Sequence, residues 1–420
     1  MAGAGQHDVI VVGAGLAGLR AARDLAESGR SVLLLEGRDR VGGRGWTSTF
    51  PQTEIPIELG GAWFTEHQPL VRGEIERYGL GIREFDADSS TRWHTDGVLR
   101  LDTPFDADPA CIKAMDQLLQ DAASFAAGDD APRFKVSLDE YLDAIAAPTP
   151  VRDLAYGWWT ITGGSRPSEG CVEGLIGAIT SEGEIGDMRY LRYAPQPGWS
   201  ALAEALADTE GVSVELCQPV KEVFHDDAGV TVRTVHSTFA ASAAVVATPV
   251  NTLPHMDFRP ILPPRVSSGA GASAAKAIKV WALTDGVPER ALGFGRGVGL
   301  HWFYGDRVVD GHTLVVAFGW NDPGFDPSDR SQIEAALTTF FPDAALVDHT
   351  WYDWVDDEFS RGTWATPWAG RPEALHPYQF APVGRLTFAT SDIATEHQGW
   401  FEGALVSGKE AAAAVNTVLG

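Results

Sequence analysis

The chain opens on a strand, turn, helix and strand pattern. A short, mostly apolar run over 8–12 predicts a buried strand. After a glycine-rich turn, apolar residues recur at helical spacing from Leu16 to Ala26, and Gly29 ends that pattern. A second apolar run over 31–36 predicts another strand. Two strands joined by a helix pair in parallel, so the pattern predicts an open parallel sheet with helices on its faces.

Beyond residue 75 the pattern changes several times. Helical periodicity occupies three segments, namely 110–127, 138–146 and 332–340. Strand patterns return from about residue 211, an alternating strand begins at Lys276, and a last strand at 385–390 precedes an alanine-rich helix at 403–418. The chain thus leaves the first sheet and returns to it twice. We therefore predict two interleaved units, each built from separate segments.

Composition and charge narrow the class of protein. The chain has 420 residues, more than one hydrophobic core accommodates, so two domains are expected. Its 44% apolar and 21% charged residues are typical of a globular protein. A formal net charge of −25 would repel a phosphate backbone, which excludes a nucleic-acid partner. We interpret the acidity as a contribution to solubility.

Targeting and redox features favour the cytoplasm. Residues 1–8 lack the basic start and apolar core of a signal peptide, and no apolar run reaches the roughly 18–20 residues of a membrane span. Cys111, Cys171 and Cys217 lie too far apart for a CxxC motif or a paired disulfide framework. We therefore predict a cytoplasmic protein without a membrane partner and leave a homodimer open. The absence of an HExxH motif and of a clustered His pair predicts no metal site.

The sharpest local motif is the glycine-rich turn after the first strand. In GAGLAG, Gly13 permits the tight turn, Gly15 lets the backbone approach a pyrophosphate, and Gly18 lets helix and strand pack closely. Glu36 ends the second strand 36 − 18 = 18 residues later, close to the roughly 20 expected of a carboxylate that binds ribose hydroxyls. Glycines also mark ordinary turns, but this combination favours a dinucleotide site. NAD and FAD sites share the fingerprint.

Two further glycine-rich segments follow, EGRDRVGGR at 36–44 and ELGGAW at 58–63. Paired glycines let backbone approach an extended ligand, and the arginines supply charged donors. These segments resemble those of the flavin-containing monoamine oxidase family. The resemblance implies non-covalently bound FAD and adds these cofactor residues to Gly13, Gly15, Gly18 and Glu36: Gly37, Arg38, Gly43, Arg44, Gly60, Gly61, Ala62, Trp63 and Val220.

The resemblance extends to both ends of the chain and sharpens the expected fold. We predict an α/β protein with a Rossmann-like FAD-binding domain at 1–75, 205–270 and 375–420. Interleaved with it, an α+β substrate domain of mixed sheet and helices is predicted at 76–204 and 271–374. Within the family, the likeness is greatest to bacterial amine oxidases of the 6-hydroxynicotine oxidase and cyclohexylamine oxidase type.

The C-terminal segments 385–392 and 399–404 are similar to the family's second flavin-binding stretch. In the family, a helix N-terminus points there at the pyrimidine end of the flavin ring, where its dipole stabilises negative charge. The cofactor residues that this implies are Asp392, Trp400 and Phe401. Thr390 departs from the pattern, because the family commonly has Gly at that position.

Lys276 is the sequence candidate for a catalytic residue. Alternation along the strand places Lys276 on an aliphatic face with Ile278 and Val280, and Lys279 on the opposite face. A buried lysine is costly unless it is paired or its pKa falls. In the resembling family a lysine at the head of this strand holds a water near flavin N5, which implies that role for Lys276. The alternative is a strand-end lysine whose amine reaches solvent.

Two tryptophans match the aromatic cage that the family places in front of the flavin. Trp364 and Trp400 stand where tyrosines are frequent, and two ring faces can hold an amine and exclude water. We class both as catalytic, with an ordinary core role as the alternative. Thr363 takes the position at which some members carry a cysteine bonded to the flavin. The bound FAD should therefore lack a covalent link.

The expected reaction is oxidation of a small cyclic or aromatic amine by hydride transfer to flavin N5, with O2 as the second substrate and H2O2 as a product. The aromatic richness of the chain, with 14 Trp, suggests further pocket lining from Trp159, Thr160, Trp302 and Tyr304 besides the cage residues. Three alternatives stay open: an L-amino-acid oxidase, an NAD-dependent dehydrogenase, and a flavin-binding module without turnover.

Overall fold

The structure is a computed structural model that describes residues 7–85, 89–103, 108–181 and 192–420. The strands are β1 (His7–Val12), β2 (Val32–Leu35), β3 (Thr47–Thr49), β4 (Pro56–Glu58), β5 (Gly81–Glu84), β6 (Ser90–Thr95), β7 (Val98–Arg100), β8 (Tyr193–Gln196), β9 (Val212–Glu215), β10 (Val220–His225), β11 (Val230–Thr234), β12 (Thr238–Val246), β13 (Asp257–Arg259), β14 (Ala277–Asp285), β15 (Ala291–Gly295), β16 (Leu300–Val309), β17 (His312–Trp320), β18 (Ala345–Trp351) and β19 (Leu386–Phe388).

The α-helices are α1 (Leu16–Glu27), α2 (Pro69–Arg77), α3 (Pro109–Ala126), α4 (Leu138–Ala144), α5 (Thr149–Thr162), α6 (Glu173–Ser181), α7 (Trp199–Ala207), α8 (Pro264–Gly269), α9 (Arg330–Phe340) and α10 (Phe401–Leu419). Short 3-10 turns occur at Pro132–Phe134, Val250–His255, Pro372–Leu375, Pro377–Phe380 and Ser391–Ile393.

The first large sheet contains the strand–helix–strand unit at the start of the chain. Its strand order is β13-β10-β11-β12-β1-β2-β9, with β19 also paired to β12. Strand β1 pairs in parallel with β2 on one side and with β12 on the other. Alternate residues of β1 enter two separate cores, Val9 and Val11 on one face, Ile10 and Val12 on the other. A sheet buried on both faces explains the uninterrupted apolar run.

The second large sheet is assembled from the middle of the chain. Its order is β18-β14-β17-β16-β15-β6-β7, and its pairs are antiparallel except for β15 with β6. Helices α3, α5 and α6 pack into the core on one face, and α9 covers the other. The expected α/β class, with one largely parallel and one mixed sheet, is confirmed. The domain limits given above stay a prediction, which the distribution of strands supports.

Element ends near the site differ from the expected ones. Strand β14 begins at Ala277, so Lys276 precedes it. Helix α10 begins at Phe401 rather than at residue 403, and Trp400 is its N-cap residue. In the described part of the chain, no helix combines the length and apolarity needed to cross a membrane. The homodimer and the cytoplasmic location stay predictions.

Candidate active site

A cavity of about 670 Å³ runs between the two large sheets. One end is lined by the turn after β1 and by the end of β2, and the other by α5, α6 and the segment 363–367. Its volume lies in the range of sites that enclose a cofactor or a small ligand. Among the predicted cofactor residues, those that line it are Gly13, Gly15, Glu36, Gly37, Arg38, Gly43, Arg44, Gly60, Gly61, Ala62, Trp63, Val220, Trp400 and Phe401.

The three glycines of the first turn have different surroundings. Gly13 has a φ of +101°, and a Cβ there would lie 2.7 Å from the oxygen of Ala247. A Cβ on Gly18 would lie 2.0 Å from the oxygen of Gly13, so this glycine serves packing and does not line the cavity. A Cβ on Gly15 would approach nothing closer than the Cα of Gly43, at 4.0 Å. The space beside Gly15 therefore belongs to the cavity, as a close-approaching pyrophosphate requires.

The carboxylate of Glu36 is buried at the end of β2. Its two oxygens accept hydrogen bonds from the backbone N–H groups of Ala14 at 2.7 Å and Arg38 at 2.9 Å. Glu36 thus fixes the glycine turn and also faces the cavity. Arg38 in turn pairs with Asp357 at 2.6 Å, which ties this edge to the segment after β18.

Asp392 lies behind the cavity wall rather than in it. One of its oxygens is 2.7 Å from Nη2 of Arg44, and the other accepts a hydrogen bond from the backbone N–H of Val250 at 2.9 Å. Only 1% of the residue is exposed, and it does not line the cavity. Asp392 therefore positions Arg44, which does line it. This placement corrects the expectation of a direct cofactor contact.

The segment 58–60 carries three consecutive carbonyl groups that accept hydrogen bonds from side chains of distant segments. The pairs are Glu58 with Trp281 Nε1 at 2.8 Å, Leu59 with Trp354 Nε1 at 3.0 Å, and Gly60 with Lys279 Nζ at 2.8 Å. These bonds hold the glycine pair 60–61 against the second sheet. A Cβ on Gly61 would lie 2.5 Å from the ring of Phe401, so no side chain fits there.

The structure places Lys279 in the cavity wall and Lys276 outside it. Lys276 is half-buried before β14, and its Nζ lies 5.9 Å from the centroid of the Trp368 ring. Lys279 is 8% exposed, and its Nζ lies 5.3 Å from the centroids of both Trp63 and Trp281. The strand alternates as expected, but its aliphatic face points away from the cavity. Lys279, not Lys276, is therefore the candidate lysine.

Burial changes the pKa of Lys279. Loss of solvent lowers its pKa from the ordinary lysine value, and the carboxylate of Glu58 opposes that shift. Burial likewise raises the pKa of Glu58, whose Oε1 accepts hydrogen bonds from Thr47 Oγ1 at 2.8 Å and Trp199 N at 3.2 Å. The aromatic rings around Lys279 supply quadrupole attraction only for its charged form. A lysine in this setting exchanges a proton more readily than a solvated one.

Trp364 and Trp400 both line the cavity, from different loops. Nε1 of Trp364 donates a hydrogen bond to the Thr162 oxygen at 2.9 Å, which fixes its ring plane against α5. Gly399, next to Trp400, has a φ of +83°, and a Cβ there would lie 3.6 Å from the Cβ of Trp364. The two loops are thus in contact. Thr363 lies beside them and lines the cavity too.

Comparisons with known proteins bear on this arrangement. The model of the flavin-containing amine oxidoreductase family matches residues 16–416. The chain belongs to this family. It is 29% identical to (S)-6-hydroxynicotine oxidase of Paenarthrobacter nicotinovorans, over 98% of this chain and 99% of that protein. It is also 29% identical to pseudooxynicotine dehydrogenase of a Pseudomonas species, over 96% of this chain and 85% of that protein. The predicted family is thereby confirmed.

Solved structures agree with the fold. A putrescine oxidase bound to putrescine superimposes with a TM-score of 0.85 and 25% identity, covering 98% of this chain and 99% of that one. A cyclohexylamine oxidase from Brevibacterium oxydans superimposes equally well at 22% identity and supports the fold alone. As a flavin-containing amine oxidoreductase, the protein uses FAD. The open space at Gly15, the buried acid at Glu36 and the arginine at Arg44 fit such a dinucleotide.

Of four side chains expected in the substrate pocket of this amine oxidoreductase, three are buried in the core and Tyr304 is half-buried against it. None of them lines the cavity: Trp159, Thr160, Trp302 and Tyr304. Trp159 donates to the Ser165 oxygen at 2.7 Å, and Thr160 donates to the Gly157 oxygen at 2.6 Å. Trp302 stands behind the lining residue Trp63, with ring centroids 5.9 Å apart. Trp302 therefore supports the cavity wall without reaching the cavity.

Sequence reasoning missed most residues at the end of the cavity formed by α5, α6 and the segment 363–367, called the amine end below. Among the described residues its lining includes Phe125, Ile161, Thr162, Glu173, Gly174, Gly177, Ala178, Ala277, Lys279, Phe318 and Pro367, together with Trp364. Ile161 and Thr162 directly follow the two residues predicted from α5, so the prediction names the right helix but is out of phase by two residues. Within α6, the sequence offers one indication of a cavity-lining residue, namely the acid Glu173 among small apolar residues. No group of three His, Cys, Asp or Glu side chains able to hold a metal occurs among the described residues.

Proposed function

We propose that this protein oxidises a small cyclic or aromatic amine, with O2 as the electron acceptor. One observation carries the proposal: the cavity that begins at the glycine turn continues to a chamber walled by Trp364, Trp400 and Lys279. A dinucleotide at the glycine turn, the cradle end of the cavity, and an amine in the chamber would therefore meet inside one continuous cavity. Trp63, Phe318 and Ile161 add apolar lining, which suits a compact hydrocarbon body.

When bound, the flavin supplies the acceptor for a hydride equivalent from the carbon next to the amine nitrogen. The overall reaction consumes the amine, O2 and water. It yields a carbonyl compound, H2O2, and the nitrogen as ammonia or an amine, which stays in the carbonyl product where the nitrogen was part of the ring. The protein's own contribution is to bind the amine, orient it and exclude water around the transferred hydrogen.

We assign the orienting role to the two tryptophans and a proton-handling role to the lysine. The faces of Trp364 and Trp400 attract an amine through dispersion and their ring quadrupoles. Because burial lowers the pKa of Lys279, its amine can hold or release a proton within hydrogen-bond distance of the cavity. The lysine stays in place because Nζ donates to the Gly60 oxygen.

L-amino-acid oxidation is the second candidate, and the described residues disfavour it. Such a substrate needs a cation for its carboxylate, commonly an arginine. Arg38 and Arg44 of the cavity wall are already paired with Asp357 and Asp392. The wall also carries the acid Glu173. Lys279 is already held by the Gly60 oxygen. An acid beside the substrate would repel a carboxylate.

The deciding experiment is the absorbance spectrum of the purified holoprotein, followed without oxygen as amines are added. We expect bleaching of the flavin by cyclic or aromatic amines and formation of H2O2 when air is admitted. Bleaching by NADH alone, or by no amine at all, would overturn the proposal. Because the relatives include proteins named oxidase and proteins named dehydrogenase, the reoxidation rate in air should be compared with that of an artificial acceptor. Slow reoxidation in air would exclude O2 as the acceptor.

A further inference from the structure

One face of helix α6 forms a wall of the cavity. The residues that line it are Glu173, Gly174, Gly177 and Ala178. Their spacing of one, four and five positions is that of a single helix face. Three of the four have a hydrogen atom or a methyl group as side chain. Glu173 is therefore the one long polar side chain that this wall presents beside the cavity.

This wall belongs to the amine end of the cavity. The backbone N–H of Cys171, two residues before Glu173, donates to the Pro367 oxygen at 2.8 Å, and Pro367 follows Trp364 by three positions. Thr162, which accepts the hydrogen bond of Trp364, lines the same end. This backbone hydrogen bond ties the start of α6, where Glu173 lies, to the segment that supplies one ring of the proposed cage.

The Glu173 carboxylate has no partner of its own within residues 7–85, 89–103, 108–181 and 192–420. No ion pair or side-chain hydrogen bond engages it there, and the neighbouring Lys135 is bonded to Asp130 at 2.6 Å. Two further acids, Asp130 and Glu373, add negative potential at this position. Burial raises the pKa of Glu173 to about 7, and only Lys135 opposes that shift.

A purely structural role explains this carboxylate poorly. An acid in the first turn of a helix is commonly stabilised by the helix dipole, which favours the charged form. For Glu173 the loss of solvent outweighs that benefit, since its pKa is raised rather than lowered. A positive group entering the cavity would remove the penalty by pairing with the carboxylate.

We propose that Glu173 binds a second, positively charged nitrogen of the substrate, while the amine to be oxidised lies between Trp364 and Trp400. The inference rests on the proposed function and narrows the substrate to a dibasic amine, such as a diamine or an amine with a second basic ring nitrogen. Small residues on the α6 wall leave room for the body of that substrate. The carboxylate discriminates through charge as well as shape, because a monoamine leaves it unpaired.

The test compares matched substrates on matched variants of the holoenzyme. Benzylamine is paired with 4-(aminomethyl)benzylamine, and hexylamine with hexane-1,6-diamine. The variant is Glu173→Gln, which keeps the shape and loses the charge. The control is Glu373→Gln, which removes an equal charge from an exposed position nearby that does not line the cavity. Stopped-flow flavin reduction without oxygen separates the apparent Kd from the limiting rate.

We expect the wild-type protein and Glu373→Gln to bind each diamine more tightly than its monoamine. Glu173→Gln should weaken diamine binding by about 10- to 100-fold, the range of a charge-assisted hydrogen bond, with the limiting rate and the monoamine Kd little changed. Equal loss for both members of a pair, or no loss for either, would overturn the inference. A wild-type preference for monoamines would also overturn it while leaving amine oxidation intact. Failure of every amine to reduce the flavin would instead refute the proposed function.

Discussion

The two ends of the cavity are built in different ways. The cradle end is made by backbone, through glycines whose environment excludes a Cβ or leaves space for a ligand, as at Gly13 and Gly15. The amine end is made by side chains from α3, α5, α6, β14 and the loops that carry Trp364 and Trp400. The shape of the backbone at the cradle end is determined by residues adjacent in sequence. The side chains at the amine end come from separate elements, so which of them line the cavity depends on strand register and helix phase. Substitutions at the two ends should therefore fail differently.

The largest effect is expected at Gly15. Gly15→Val places methyl groups in the space beside the turn, where nothing of the protein lies closer than 4.0 Å to the added Cβ. The fold should survive, while affinity for FAD falls by about 100-fold or more, since the backbone can no longer approach the pyrophosphate. The measurement is the ratio of flavin to protein absorbance, alongside circular dichroism.

Gly73→Val is the matched control for that substitution. Gly73 also has open space around its would-be Cβ, but it occupies an exposed position of helix α2 and does not line the cavity. It should keep its full content of FAD. If Gly15→Val retained FAD as well, the backbone would not be the determinant of the cradle.

A smaller effect is expected where the chemistry depends on one side chain. Lys279→Met should keep FAD bound but slow flavin reduction or reoxidation by about 100-fold, the loss typical of one placed polar group in a water-excluded site. Lys276→Met removes the same charge outside the cavity and should leave both half-reactions unchanged. Both rates are measured by stopped-flow absorbance. The reverse pattern would restore Lys276 to the mechanism, and equal effects would assign the loss to net charge.

Lys276 and Lys279 show how much of the candidate site could be predicted from the sequence. The glycine turn, Glu36 and the segment at 58–63 were predictable because each is a contiguous motif whose spacing carries its geometry. The place of Lys279 in the cavity wall was not predictable, because the periodicity of β14 distinguishes two faces of the strand but does not indicate which one borders the cavity. The same ambiguity misplaced Trp159 and Thr160. A helix phase error of two residues moved the predicted lining from Ile161 and Thr162 into the core.

The smallest kinetic effect is expected from the comparison of Trp364, which lines the cavity, with Trp302, which packs behind the lining. Trp364→Ala should lower kcat/KM for an amine by about 10-fold, because one of the two ring faces that hold the amine is lost. Trp302→Phe should leave kcat/KM almost unchanged and instead destabilise the fold by about 1–2 kcal/mol, since Trp302 is 2% exposed and packs against Trp63. Steady-state kinetics and thermal unfolding of both variants make the comparison. If Trp302→Phe lost as much kcat/KM as Trp364→Ala, the positions of the lining residues would depend on the packing behind them. The amine end would then owe its shape to the whole aromatic core rather than to the few side chains that face the cavity.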